Sequence, residues 1–196
     1  MPGSFRRRTR RLASAGAVLV VLGVAAAPAV AQPVMSRESA IEVRKQFMSD
    51  LDTLHSKMLA LASAIPEDKF AWRPTAGVRS IGEVFMHVAA EYYVWTPMAY
   101  GAARSTAIPQ GEEAMAKFEK GGTKAEALRQ LREGFAYTHA QLSAIDPSAI
   151  SGTPKLWGEP RSIAETSTAM TADLHEHLGQ LIAYARMNGI KPPWSK

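Results

Sequence analysis

The sequence predicts an all-α protein built as an up-and-down four-helix bundle. Two kinds of observation carry that expectation. Apolar side chains recur at three- and four-residue intervals along four long stretches, the spacing of one helix face. Three of those stretches open on a hydroxyl residue followed three positions later by glutamate: Ser80-Ile81-Gly82-Glu83, Thr123-Lys124-Ala125-Glu126 and Ser162-Ile163-Ala164-Glu165. In such a capping box each side chain satisfies a backbone N–H that the first helical turn leaves without a partner. No stretch alternates polar and apolar residues for long, and no internal repeat is visible.

Residues 1–31 read as a secretory signal peptide, and residues 32–196 as a single folded domain. Arg6, Arg7, Arg8, Arg10 and Arg11 form a basic start, an Ala- and Val-rich apolar run follows, and Ala29-Val30-Ala31 is a small-x-small cleavage site. Thr9-Arg10-Arg11-Leu12 only loosely matches a twin-arginine signal. The first helix is expected over residues 36–65, with Val43, Phe47, Leu51, Leu54, Met58, Leu61 and Ile65 on one face and Pro66 after it. An irregular link holding Trp72-Arg73-Pro74 leads to the second helix, residues 80–100, where Pro97 is expected to kink or end the last turns. Residues 110–120 suit a short extra helix. The third long helix follows over residues 123–145 on Leu128, Leu131, Phe135, Leu142 and Ile145, stopped by Asp146-Pro147. The last covers residues 162–188, and Gly189 suits the left-handed position that closes it.

Charge changes meaning once the signal is set aside. The whole chain has a formal net charge of +5, from 23 Lys+Arg against 18 Asp+Glu, but five of those arginines lie in residues 1–31. The domain is therefore balanced, and neither nucleic acid nor an anionic membrane is an expected partner. No membrane anchor is expected after signal removal. A homodimer is compatible with the sequence, and the expected ligand is a small-molecule substrate. The chain has no cysteine, which excludes disulfides, a thiol nucleophile, zinc ribbons and iron–sulfur clusters.

The candidate chemistry lies in three residues. Asp173 and His177 are four apart on the last helix, so their side chains stack on one face. His87 lies near the apolar face of the second helix, at a depth in the bundle similar to that of His177. Two imidazoles and a carboxylate suit a divalent metal: Zn, Ni, Fe or Mn. The plainer reading is a pair of partly buried histidines hydrogen-bonded to carboxylates. His175 is the substitute if Asp173 is not a ligand, Glu91 is the expected orienter of the His87 ring, and Glu176 is solvated or aids a ligand. His55 and His139 lack a paired ligand and read as satisfied or solvated. Phe70, Trp72, Tyr92, Tyr93 and Trp95 could line a pocket, or simply be core. No Gly-x-Ser-x-Gly elbow supports a serine hydrolase, and nothing singles out a carboxylate pair for glycoside cleavage.

Trp72-Arg73-Pro74, the run from Gly77 through His87 to Ala89, His175-Glu176-His177-Leu178-Gly179-Gln180-Leu181 and the closing Tyr184 to Pro193 together resemble the DinB-like family. The resemblance implies a four-helix bundle that holds a divalent metal through a histidine of the second helix and two histidines four apart on the last. The first corresponds to His87 and the later one of the pair to His177. The earlier one falls on Asp173, where the family pattern most often has His. Characterised members include transferases and an isomerase that use low-molecular-weight thiols, whose thiolate the metal stabilises. An exported protein would meet a different thiol pool. Two readings follow: an exported metal-dependent hydrolase or transferase with His87, Asp173 and His177 as ligands, or a non-catalytic helical module that binds a metal or another ligand.

Overall fold

Four long helices and one short one are arranged around a common apolar core in a computed structural model, which describes residues 35–120, 122–151, 155–156 and 159–196. The expected signal peptide, residues 1–31, lies outside the described residues. The helices are α1 (Arg37–Ala64), α2 (Ile81–Tyr100), α3 (Glu112–Lys120), α4 (Lys124–Ala144) and α5 (Ile163–Met187). Two 3-10 turns, Glu67–Lys69 and Pro147–Ser151, and a two-residue antiparallel pair, Lys155–Leu156 with Glu159–Pro160, fill the links. Among the described residues no helix is long and apolar enough to cross a membrane.

The helix starts follow their side chains. Ser80 and Ser162 form complete capping boxes: each hydroxyl accepts from the glutamate N–H, and each glutamate carboxylate accepts from the serine N–H at 2.7 Å and 2.6 Å. The third box is only half made. Thr123 accepts from the Glu126 N–H, but the Glu126 carboxylate turns outward to Arg129 and Gln130. Glu67 caps the next residue from outside, both oxygens accepting from the Lys124 N–H at 3.1 Å. A carboxylate from the α1–α2 link thus caps α4 and pins that link to the bundle.

Packing follows the apolar faces. Leu51, Leu54, Met58 and Leu61 of α1 meet Val84, Phe85, Val88 and Tyr92 of α2, Leu131 and Leu142 of α4, and Leu174, Leu178 and Leu181 of α5. Each such side chain contributes about 1.5–3 kcal/mol when fully withdrawn from water. Both α1 and α2 pack beside α4 and α5, so α1 and α2 face one another across the core. Next to α4 the approach is closest at Gly134, where a Cβ would stand 3.1 Å from the Ala89 carbonyl oxygen and from Tyr92 Cβ.

The second helix ends where expected, at Tyr100, three residues past Pro97, and closes on Gly101, whose φ of 65° is left-handed. The hydroxyl of Thr96 and, from α4, that of Thr138 both donate to the Tyr92 carbonyl one turn before the proline. This helix is not amphipathic, because α3 and the loop before it cover its outer side: Ala90, Tyr93 and Ile108 form a small core with Met115 and Phe118 of α3.

Candidate metal centre

α2 and α5 meet at a polar patch set into this apolar surround. One turn of α2 carries His87 and Glu91, and α5 carries Asp173 and His177. Among the described residues, His87, Glu91 and His177 are the acid or imidazole side chains that each bring one ligand atom within 4.8 Å of the others. Glu91 Oε1 lies 3.1 Å from Nε2 of His87 and 3.3 Å from Nε2 of His177. The two rings meet edge to face with centroids 4.9 Å apart. Glu91 is 8% exposed, and its Oε2 is buried without a hydrogen-bond partner. A buried carboxylate whose Oε1 faces two imidazole nitrogens is a donor set suited to a cation. Metal–ligand bonds of about 2.0–2.2 Å place ligand atoms roughly 3–4 Å apart, and these separations fit.

The site expectation thus meets one substitution. The structure groups Glu91, not Asp173, with the two histidines. Asp173 Oδ1 lies 3.9 Å from His177 Nε2, at the rim, in contact with the Glu91 carboxylate. The physical reason is placement: Glu91 is four residues after His87 on α2 and reaches both rings. One sequence signal pointed to it, a single carboxylate inside the apolar run Val88-Ala89-Ala90-Glu91-Tyr92-Tyr93. His175 is turned away, exposed and paired with Asp50 of α1 at 3.3 Å.

Each ring also has a partner at its other nitrogen. Gln180 Oε1 stands 3.3 Å from His177 Nδ1, and the Gln180 amide donates to the Tyr184 hydroxyl at 3.0 Å. Trp72 packs edge-on against Tyr184, which fixes that relay from the α1–α2 link. His87 Nδ1 lies 2.9 Å from Oε1 of Glu119, on α3, in poor alignment for a hydrogen bond in this rotamer. Sequence reasoning did not find Glu119, because the docking of α3 is a tertiary event.

The charges are strongly coupled. Burial alone would raise Glu91, but contact with His177, His87 and Asp173 overcomes it and holds the carboxyl at about 2. Burial and the neighbouring Glu91 push Asp173 up to about 6. Burial opposes but does not prevent a raised His87, held up by Glu91 and Glu119. His177 is raised, chiefly by Glu91. The low Glu91 carboxylate and the raised rings and Asp173 therefore titrate as one coupled group.

The patch opens on a cleft of about 450 Å³ lined by Glu91, Trp95, Ala169, Ala172, Asp173 and Glu176. Of the candidate aromatic group, only Trp95 borders it. Phe70 packs on Phe85, Tyr92 is in the core, and Tyr93 packs against Tyr137. His55 is buried and stacked on Phe135 at 3.8 Å, and His139 faces Asp52 near the surface.

The DinB superfamily pattern matches residues 50–181, a span that includes His87, Glu91, Asp173 and His177. The chain belongs to the DinB superfamily. Its fold also resembles the crystal structure of a DinB-like protein from Bacillus cereus, with a TM-score of 0.63 at 12% identity, covering 78% of this chain and 97% of that one. At that identity the likeness speaks for the fold alone. No curated protein matches the chain. Family membership agrees with the resemblance carried by the residues around His87 and His177.

Proposed function

We propose that His87, Glu91 and His177 hold a divalent cation, with Asp173 at its rim, and that the site acts on a small molecule in the cleft between α2 and α5. The observation that carries this is the convergence of three ligand atoms from two helices, Nε2 of His87, Nε2 of His177 and Oε1 of the buried Glu91. Zn, Ni, Fe and Mn all suit two imidazoles and a carboxylate. A cation held there supplies Lewis acidity, the basis for hydrolysis or group transfer. The chain's own residues do the rest. Gln180 and Glu119 address the outer nitrogens of the rings, Trp95 walls the cleft, and Asp173 is the group placed to accept or return a proton beside it.

The same reading includes export. The arginine-rich start, the apolar run and Ala29-Val30-Ala31 support a signal peptide and a periplasmic or secreted location.

The test is metal content. Mature protein purified under native conditions is expected to retain a stoichiometric divalent metal, and His87→Ala and His177→Ala are expected to lose it while keeping helical circular dichroism. A metal-free wild type that gains no thermal stability from any of the four metals would overturn the proposal. Screening hydrolysable esters and thiol or amine acceptors on the loaded protein then separates an enzyme from a binding module.

A further inference from the structure

Both imidazoles of the centre present the same nitrogen inward. Nε2 of His87 and Nε2 of His177 face Glu91, and each Nδ1 faces a separate neighbour. For His177 the neighbour is Gln180, on its own helix. For His87 it is Glu119, which belongs to a different element, α3. The His87 Nδ1 is buried, so a proton on it needs a protein acceptor, and Glu119 Oε1 stands 2.9 Å away. The second Glu119 oxygen is 3.1 Å from the Arg79 guanidinium, which secures the carboxylate from the solvent side. Met115 and Phe118 press α3 onto Ala90 and Tyr93 of α2, holding Glu119 at this height.

We propose that Glu119 is a positioning residue of the centre: it receives the Nδ1–H of His87, so that the free lone pair sits on Nε2 and faces Glu91 and His177. The inference rests on the metal-centre reading for its consequence, but the tautomer it assigns is a property of the polypeptide itself. Carboxylates behind metal-binding imidazoles fix ring orientation and raise basicity, and losing one typically weakens metal affinity about 10–100-fold. The short helix α3 thereby becomes part of the site, although it supplies no ligand. In the plainer alternative the Glu119–Arg79 pair only anchors α3, and the tautomer of His87 then does not depend on Glu119.

The full mature protein is titrated with Zn²⁺ against a chromophoric chelator, and with Co²⁺ as an optical probe, for wild type, Glu119→Ala, Glu119→Gln and Arg79→Ala. Glu119→Ala is expected to bind about 10–100-fold more weakly. Glu119→Gln, whose amide oxygen still accepts, should recover part of the loss, and Arg79→Ala should fall between the alanine variant and wild type. Nitrogen-15 ring shifts of His87, recorded on chelator-treated protein at mildly alkaline pH, are expected to show the Nδ1–H tautomer in wild type and a move toward Nε2–H in Glu119→Ala. Unchanged affinity with an unchanged tautomer overturns the proposal. Weaker affinity with an unchanged tautomer also overturns it, leaving Glu119 as an anchor of α3. If wild type takes up no metal, the metal-centre reading falls, and the ring shifts alone decide the role of Glu119. Should Glu119→Ala fail to fold, the half-exposed Arg79→Ala carries the test, and wild-type affinity there overturns the proposal.

Discussion

The imidazoles of His87 and His177, carried on α2 and α5, meet edge to face at 4.9 Å between ring centroids, with the Glu91 carboxylate touching both. Helix packing makes this encounter, because α2 and α5 lie side by side at the turn that carries these residues.

The first prediction ranks the carboxylates. Glu91 bridges both rings, and Asp173 approaches only His177. Glu91→Gln is expected to weaken metal binding by at least about tenfold more than Asp173→Asn, since it removes a ligand atom rather than a neighbour of one. Isothermal titration with the preferred metal gives the order. Equal losses would make Asp173 an equal ligand, and the reverse order would restore it as the third.

The second concerns alkaline stability of chelator-treated protein. His87 and His177 have raised folded-state values, so they contribute stability that is complete below the unfolded histidine value of about 6.5 and is lost as pH rises through the raised values. Glu91, held at about 2, contributes fully across that window. Thermal midpoints should therefore fall as pH rises above about 6.5, and the slope should shrink in His87→Gln and His177→Gln. Metal affinity should rise over the same range, because protons compete for the same nitrogens. A flat pH profile with steep metal binding would show that the rings carry no proton in the folded protein.

The third uses His55, whose burial, with Arg132 nearby, lowers its value to about 4. Here the sign reverses. The unfolded chain takes up a proton below about 6.5 that the folded one refuses, so stability falls as pH drops toward 4. His55→Phe keeps a ring stacked on Phe135 and removes the buried, unpartnered Nδ1. Acid denaturation of this variant should have a midpoint at lower pH than wild type. An unchanged midpoint would mean that the ring finds a partner, such as a buried water.

The fourth contrasts two helical glycines. A Cβ at Gly134 would meet the Ala89 carbonyl oxygen and Tyr92 at 3.1 Å, whereas a Cβ at Gly179 meets nothing within 4 Å. Alanine gains about 1 kcal/mol of helix propensity at either position. At Gly134 that gain is outweighed by overpacking, which costs about 1–3 kcal/mol. Urea denaturation should show Gly134→Ala less stable and Gly179→Ala more stable than wild type. The same sign for both would refute the close approach of α2 and α4.

Much of this molecule is legible in its sequence, for identifiable reasons. Helix starts at Ser80 and Ser162 depend on contacts within four residues, so the local pattern finds them. The Thr123 box is half right, because the Glu126 carboxylate pairs with Arg129 and Gln130, while Glu67 of another segment caps the Lys124 N–H. Spacing placed His87 and His177 on the faces that meet. It favoured Asp173 as the third ligand and Glu91 as an orienter of His87; each lies four residues from a histidine, and only the packed geometry groups Glu91 with both rings. The end of α2 near Pro97 was legible too, and the hydroxyls of Thr96 and Thr138 meet the Tyr92 carbonyl in the turn before it. Glu119 left no readable trace, as its role depends on where a nine-residue helix settles.

The missing side chain at Gly134 lets the backbone of α4 back directly onto Ala89 and Tyr92, the positions that bracket Glu91 and follow His87. The turn bearing two of the three polar tips is therefore buttressed from behind by a neighbour that never reaches them. Enlarging that buttress should tilt the turn as a unit and move His87 and Glu91 together, through a replacement made on a helix that carries neither.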